Sequence, residues 1–327
     1  MKGARERPER DRQGRIVTFY SYMGGTGRSM SVANVAWILA SQGHRVLAID
    51  WDLEAPGLHR YFHPFIADKE LASCPGLIDF LVVFVEGAHQ QPPDPAPDCF
   101  ERYTDLEPCT FSLDWDGFPG EGTVDFVPAG QQGPAYAGRV TGFARERFYE
   151  APGGGVFLEA VKVRLRQSYD FVLIDSRTGI SDTSGICTIQ MPDSLVVCFT
   201  FNNQSIAGAA AVTESALNQR RRPDGSPGLQ VFPVPMRVEI NEKVKLEAAR
   251  SAARRRFGAL PAHLEPAERD RYWNRVEVLY WPYYAFEEVL AVFGDRPEAT
   301  GSVLGAAEAL TRYLTGSDEG SRPCRTS

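Results

Sequence analysis

Ile16-Val17-Thr18-Phe19-Tyr20-Ser21, followed by Met23-Gly24-Gly25-Thr26-Gly27-Arg28-Ser29, is the stretch that decides the fold. The first six residues are mainly β-branched or aromatic, the composition of a short strand. The glycine-rich run breaks it. Met30 to Ala40 then places Val32, Val35, Ala36 and Leu39 at helical spacing, and Gly43 ends that helix. His44-Arg45-Val46-Leu47-Ala48-Ile49-Asp50 reads as a second strand. Strand, loop, helix and strand in this order open a parallel α/β sheet.

The same alternation continues outward. A helix is expected at Leu77–Val85, a strand at Val124–Pro128 and a helix at about 156–168, after Gly153-Gly154-Gly155. Strands are expected at Asp170–Asp175 and Ser194–Phe199, a helix at about 204–219, and strands at Leu229–Pro235 and Val276–Tyr280. The expected architecture is one doubly wound, mostly parallel sheet flanked by helices in three α/β/α layers, over residues 15–315. His89–Asp98 holds four prolines and reads as a surface loop within an insertion at about 86–122. Residues 1–14 read as a charged, disordered tail and 316–327 as a flexible one.

Composition narrows the function classes. The chain has 327 residues, 43% hydrophobic and 24% charged, with a net charge of -7. These are ordinary globular values, and the acidic balance argues against a general nucleic-acid coat. No apolar run spans a membrane, and no secretory h-region opens the chain, so a cytoplasmic protein is expected. None of the six cysteines (Cys74, Cys99, Cys109, Cys187, Cys198, Cys324) stands at C-x-x-C spacing. Zinc-finger and thioredoxin-like readings therefore fail, and free thiols are expected. His59 and His63 stand four apart, but Pro64 follows directly and they read as surface residues rather than metal ligands.

The glycine loop carries the chemistry. Gly24, Gly25 and Gly27 let successive backbone N–H groups turn toward one point, and the helix behind them adds its positive end. Arg28 supplies a cation for phosphate and Ser29 a hydroxyl for Mg²⁺. The second strand ends Asp50-Trp51-Asp52, and the strand Phe171-Val172-Leu173-Ile174 ends in Asp175. Both acidic ends fall where parallel sheets bind ligands, and an acid after such a strand is where phosphoryl-transfer enzymes place the Mg²⁺-side aspartate, although each aspartate alone also reads as a helix cap or turn residue.

In these motifs the sequence resembles the ParA/MinD-like branch of P-loop ATPases, whose deviant Walker A loop reads x-K-G-G-x-G-K-[ST]. It resembles most a variant group ending G-G-x-G-R. The likeness runs in order from Ile16 to about Ala291 and takes in the loop at 23–29, the acids at 50–52 and 170–175, Pro192-Asp193 and Pro282-Tyr283-Tyr284. It implies a P-loop NTPase fold that binds ATP with Mg²⁺. Gly24, Gly25, Thr26, Gly27, Arg28, Ser29 and Met30 would hold the phosphates. Asp52 would orient the attacking water and Arg28 would act with it in catalysis. Ser29, Asp50 and Asp175 would stand on the Mg²⁺ side, and Arg237 and Pro282 near the adenine. The chain departs from the pattern at two cations. Met23 replaces the signature lysine and Arg28 the P-loop lysine, which changes a compact charge into a planar fork. Arg177, just beyond Asp175, is either a replacement near the γ-phosphate or one half of a surface ion pair.

The resemblance implies a slow ATPase that works as a nucleotide-dependent switch, forming a homodimer on ATP binding or recruiting a protein partner in a bacterial regulatory system. The alternative is a nucleotide-binding scaffold that does not hydrolyse. The polar, glycine-broken end at 316–321 disfavours membrane docking. Arg250, Arg254, Arg255 and Arg256, with Arg220-Arg221-Arg222, suggest DNA as a further partner. Only five of the 35 basic residues are lysine, so arginine clusters carry little weight here.

Overall fold

The computed structural model describes residues 13–88, 101–143, 153–179, 185–295 and 301–316. Most of both expected tails, the proline-rich loop at His89–Asp98, Cys99 and Cys324 lie outside the described residues.

Seven strands form one sheet: β1 (Arg15–Ser21), β2 (Arg45–Asp50), β3 (Phe111–Ser112), β4 (Thr123–Val127), β5 (Phe171–Asp175), β6 (Ser194–Phe199) and β7 (Gln230–Pro235). Their order is β3-β4-β2-β5-β1-β6-β7, and every pairing is parallel except the short edge pair β3–β4. Central parallel strands are covered on both faces, which is why they read as unbroken apolar runs. From Ile16 to Ser21 every residue of β1 is buried.

The helices divide between the faces. On one side, α1 (Arg28–Ser41) packs with α2 (Leu58–Phe62), and with the later helices α6 (Asn203–Gln219), α7 (Lys243–Phe257), α8 (Pro266–Arg275) and α11 (Val303–Thr315), over Val17, Phe19, Val46 and Leu173. On the other, α3 (Leu77–Ala88) and α5 (Gly154–Ser168) cover Ile16, Leu47, Val172 and Ile174. There the Phe84 and Phe157 rings stack 3.8 Å apart. A short α4 (Tyr136–Gly142) follows β4, and α9 (Tyr283–Phe286) and α10 (Ala291–Gly294) follow α8. The alternation of neighbouring residues between two cores follows from the two-residue period of a strand.

The described part of the 86–122 segment lies against the sheet: β3 extends its edge, and Trp115 and Phe118 close on Trp37, at 5.4 and 4.8 Å between ring centroids. One expectation changes with the structure, that of a strand at Val276–Tyr280. Val276–Tyr280 forms no ladder strand. It meets the chain beyond β7 at a single bridge, Val238 to Leu279. Proline at 233 and 235 removes backbone donors, and Arg237 turns the chain at φ 52, so the pairing ends after one step.

Asn34 ties this region to α1. Its side-chain oxygen accepts from the Ala291 amide at 2.7 Å, and its amide donates to the Met30 carbonyl at 2.8 Å, all buried. Asn34→Ala leaves the Ala291 N–H without that partner and should cost about 1–3 kcal/mol of stability, read as a shift in the urea midpoint. An unchanged midpoint would show that the amide finds another acceptor.

Candidate nucleotide site

The site grows from the carboxyl end of β1. Strand register sets Asp50 of β2 beside Asp175 of β5, and Asp175 beside Phe19 of β1. The chain leaving β1 therefore passes directly by both acids. It turns at Gly25 (φ 69) and Gly27 (φ 93), left-handed conformations that glycine adopts without steric cost. Gly27 is the residue before α1, and no side chain caps that helix end. The first backbone N–H groups of α1 and its dipole thus face the cavity in front of the loop.

That cavity has a volume of about 470 Å³. Gly24–Met30 form its floor with Asp52, and Tyr61, Tyr280, Trp281 and Tyr284 supply aromatic walls. Arg28 and Arg237 are the cations lining it among the described residues. Arg237 donates from Nη1 to the Gly25 carbonyl at 2.8 Å, and its guanidinium lies 4.8 Å over the Tyr280 ring. It pins the crest of the loop from above.

Arg28 lies elsewhere than the sequence suggests. Its guanidinium is turned down from the loop into the acids: Nε donates to Asp175 Oδ1, and Nη2 to Asp52 Oδ2 at 3.0 Å. Nη1 donates to the Ser21 hydroxyl at 3.4 Å, its one partner among the described residues. The side chain is 6% exposed. Burial works against its charge, but the charges of Asp175 and then Asp52 outweigh burial and hold the pKa above that of a free arginine. The reason for the turn is electrostatic. Three carboxyl groups converge below the loop in a buried place, and Arg28 pairs with two of them, Asp175 and Asp52.

The three acids are not equivalent. Asp50 is fully buried, with Oδ1 accepting from the Asp52 amide at 3.2 Å and Oδ2 from the Leu58 amide at 3.1 Å. Burial, then the charges of Asp175 and Asp52, push its pKa well above the usual carboxylate range. Asp52 accepts from Arg28 on one oxygen and from the Ala55 amide, at 3.3 Å, on the other. Asp175 is raised by burial, against the opposing charge of Arg28 and the nearby Ser29 hydroxyl. Its Oδ2 is buried without a hydrogen-bond partner among the described residues.

That orphaned oxygen bears on Mg²⁺. A hard cation takes oxygen ligands and keeps several waters, needing only one or two protein groups when phosphates supply the rest. Asp175 Oδ2 and the adjacent Ser29 hydroxyl form such a partial set, so the residues fit the ion together with a polyphosphate. Asp50, with both oxygens held by amides, fits only through water. Groups of three or more His, Cys, Asp or Glu able to hold a metal without a ligand are absent among the described residues.

No family model matches the chain, and no curated protein matches it. Solved structures do. A McdA variant of Cyanothece, in complex with ATP, is 16% identical with a TM-score of 0.64, covering 95% of this chain and 100% of that one. The MinD of Pyrococcus horikoshii OT3, complexed with Mg-ADP, is 18% identical with a TM-score of 0.59, covering 92% and 97%. The pNOB8 ParA bound to nonspecific DNA is 17% identical with a TM-score of 0.56, covering 93% and 100%. The chain has the ParA/MinD P-loop ATPase fold. At these identities the likeness is one of fold.

Within the ParA/MinD fold, most of the residues named from sequence come together. Gly24, Gly25, Thr26, Gly27, Arg28, Ser29, Met30, Asp52 and Arg237 all line the one cavity, and Asp50 and Asp175 lie beneath it. Pro282 stands just before α9, but Trp281, Tyr284 and Ala285 supply that part of the lining. Arg177 forms an ion pair with Glu54 at 2.5 Å, the second of its two readings. His59 is half-buried and His63 exposed. Tyr284 belongs to the Pro282-Tyr283-Tyr284 run named from sequence, while Tyr61, Tyr280, Trp281 and the contact of Arg237 with the loop carbonyl were not foreseen. The run Tyr280-Trp281-Pro282-Tyr283-Tyr284 was visible in the sequence, but nothing in its spacing says which rings turn inward.

Proposed function

We propose that this protein binds ATP with Mg²⁺ in the cavity over residues 24–29 and hydrolyses it slowly. The bound nucleotide would act as a switch for forming a homodimer or recruiting a protein partner. One observation carries the reading: an uncapped helix and a glycine loop leave the central strand beside two acidic strand ends. This arrangement suits a polyphosphate and its metal. The cavity volume lies in the usual range for small-molecule sites, and aromatic walls suit a flat base.

In this reading the amides of 24–29 hold the phosphates, while Ser29 and Asp175 hold Mg²⁺, which would neutralise charge on the phosphate oxygens. Asp52 aligns water for attack. Positioning and electrostatic stabilisation are the main routes to phosphoryl transfer. Asp52→Ala is therefore expected to abolish phosphate release from ATP, measured as steady-state release with Mg²⁺. Release at the parent rate would remove Asp52 from the mechanism.

The second reading, a scaffold that binds nucleotide without hydrolysing it, has specific support. Both oxygens of Asp52 are engaged, and Arg28 is turned toward the acids. The same release assay separates the readings: a rate at the background of a Mg²⁺-free control favours the scaffold. DNA gains little support from the arginines. Arg250 is held by Glu277 and Glu247, Arg254 by Asp270 and Asn274, and Arg220 by backbone carbonyls. No helix among the described residues is long and apolar enough to cross a membrane.

A further inference from the structure

We propose that Asp52 sets nucleotide affinity through Arg28, as a positioning residue in addition to any role in aligning water. This inference rests on the nucleotide-binding reading above. A guanidinium grips phosphate best with two parallel N–H bonds from its terminal nitrogens. Here Nη2 is committed to Asp52 at 3.0 Å, while Nη1 has one long contact, to Ser21 at 3.4 Å. The Nε bond to Asp175 uses a different donor. Arg28 can therefore turn its terminal fork to a phosphate by giving up Asp52 and the long Ser21 contact. Nε can stay on Asp175, so that buried acid need not lose its cation.

Binding in this scheme is an exchange. The Arg28–Asp52 pair breaks and an Arg28–phosphate pair forms, while Asp52 keeps the Ala55 amide at 3.3 Å. Of the two cations lining the cavity, Arg237 already donates to the Gly25 carbonyl, so Arg28 is the one whose partner a phosphate would replace. The nucleotide-free protein is thereby held in a state that weakens phosphate binding by the strength of one ion pair. Substituting lysine at this position would not reproduce the device, because a single nitrogen cannot hold Asp175 and present a fork at once.

The test is a calorimetric titration of ATP with Mg²⁺ at one salt concentration into five forms of the full chain. They are the parent, Asp52→Asn, Glu247→Gln, Arg28→Gln, and the double variant Arg28→Gln/Asp52→Asn. Asp52→Asn should bind about tenfold tighter, the size of one charge-assisted hydrogen bond released. A merely structural role for Asp52 would give weaker binding instead. Glu247 pairs with Arg250 on α7 and is not part of the cavity lining, so Glu247→Gln removes a negative charge without touching the site, and its affinity should match the parent. On the Arg28→Gln background, Asp52→Asn should give no gain. If Arg28→Gln does not stay folded at the assay temperature, the comparison of Asp52→Asn with Glu247→Gln decides alone. Equal or weaker binding by folded Asp52→Asn overturns the proposal, as does an equal gain in Glu247→Gln. A folded parent that binds no ATP overturns the underlying reading as well, a result distinct from parent binding with no change at Asp52.

Discussion

Arg28→Ala should lower the stability of the fold by about 3–5 kcal/mol at neutral pH, the usual cost of removing one partner from a buried ionic cluster. The variant leaves Asp175 and Asp52 facing each other, with Asp50 alongside and no guanidinium between them. The loss should depend on pH in a particular direction. The pKa of Asp175 is raised above its unfolded value by burial, and Arg28 is the largest influence holding it down. Without Arg28 it rises further. A carboxyl whose pKa is raised in the folded state favours the fold fully below its unfolded pKa of about 4, and that contribution is lost as pH climbs toward the folded value. Asp50, also raised, behaves the same way. The gap between parent and Arg28→Ala should therefore be smallest near pH 4 and widen toward pH 7. Urea unfolding at several pH values measures it. A gap independent of pH would mean that the arginine contributes packing and not charge.

Gly25→Val should abolish nucleotide binding, by about 100-fold or more in affinity, while leaving global stability nearly unchanged. Gly25 sits at φ 69, a conformation in which a β-branched residue is a genuine outlier. A valine there forces the crest of the loop into another shape, and the amides cease to converge on one point. The added Cβ also comes within 4.0 Å of Arg237 Nη1, the group that holds the Gly25 carbonyl. The residue is exposed, so the strain is confined to the loop and the two cores are untouched. Affinity by calorimetry and stability by thermal melting should part company in this variant. If both fall together, the loop is coupled to the core more tightly than its exposure suggests.

How far the sequence reached can be judged from particular elements. The runs Ile16–Ser21, Phe171–Ile174 and Ser194–Phe199 announced themselves because a central parallel strand buries both faces and leaves no polar alternation. Gly24, Gly25 and Gly27 were legible because a tight turn between strand and helix selects glycine for a local backbone reason. Val276–Tyr280 misled because an apolar run does not show whether an edge can accept it. The prolines of β7 and the turn at Arg237 decided that. The same limit applies to Arg28. Sequence placed it at the end of the glycine loop, and there it lines the cavity. Which way the guanidinium turns depends on Asp52 and Asp175, brought near by strand register across gaps of 24 and 147 residues. Arg237 illustrates the converse case. It could be named from its place after a strand end, but its grip on the Gly25 carbonyl is a contact across 212 residues.

The central claim is that residues 24–29 form a nucleotide site, and the most direct test is calorimetric titration of the full chain with ATP in the presence of Mg²⁺. The account predicts saturable binding of one ATP per chain, weakened when Mg²⁺ is removed with EDTA, because Ser29 and Asp175 would then face the phosphates with no metal between them. Absence of binding heat from a chain shown to be folded by its melting curve would contradict it.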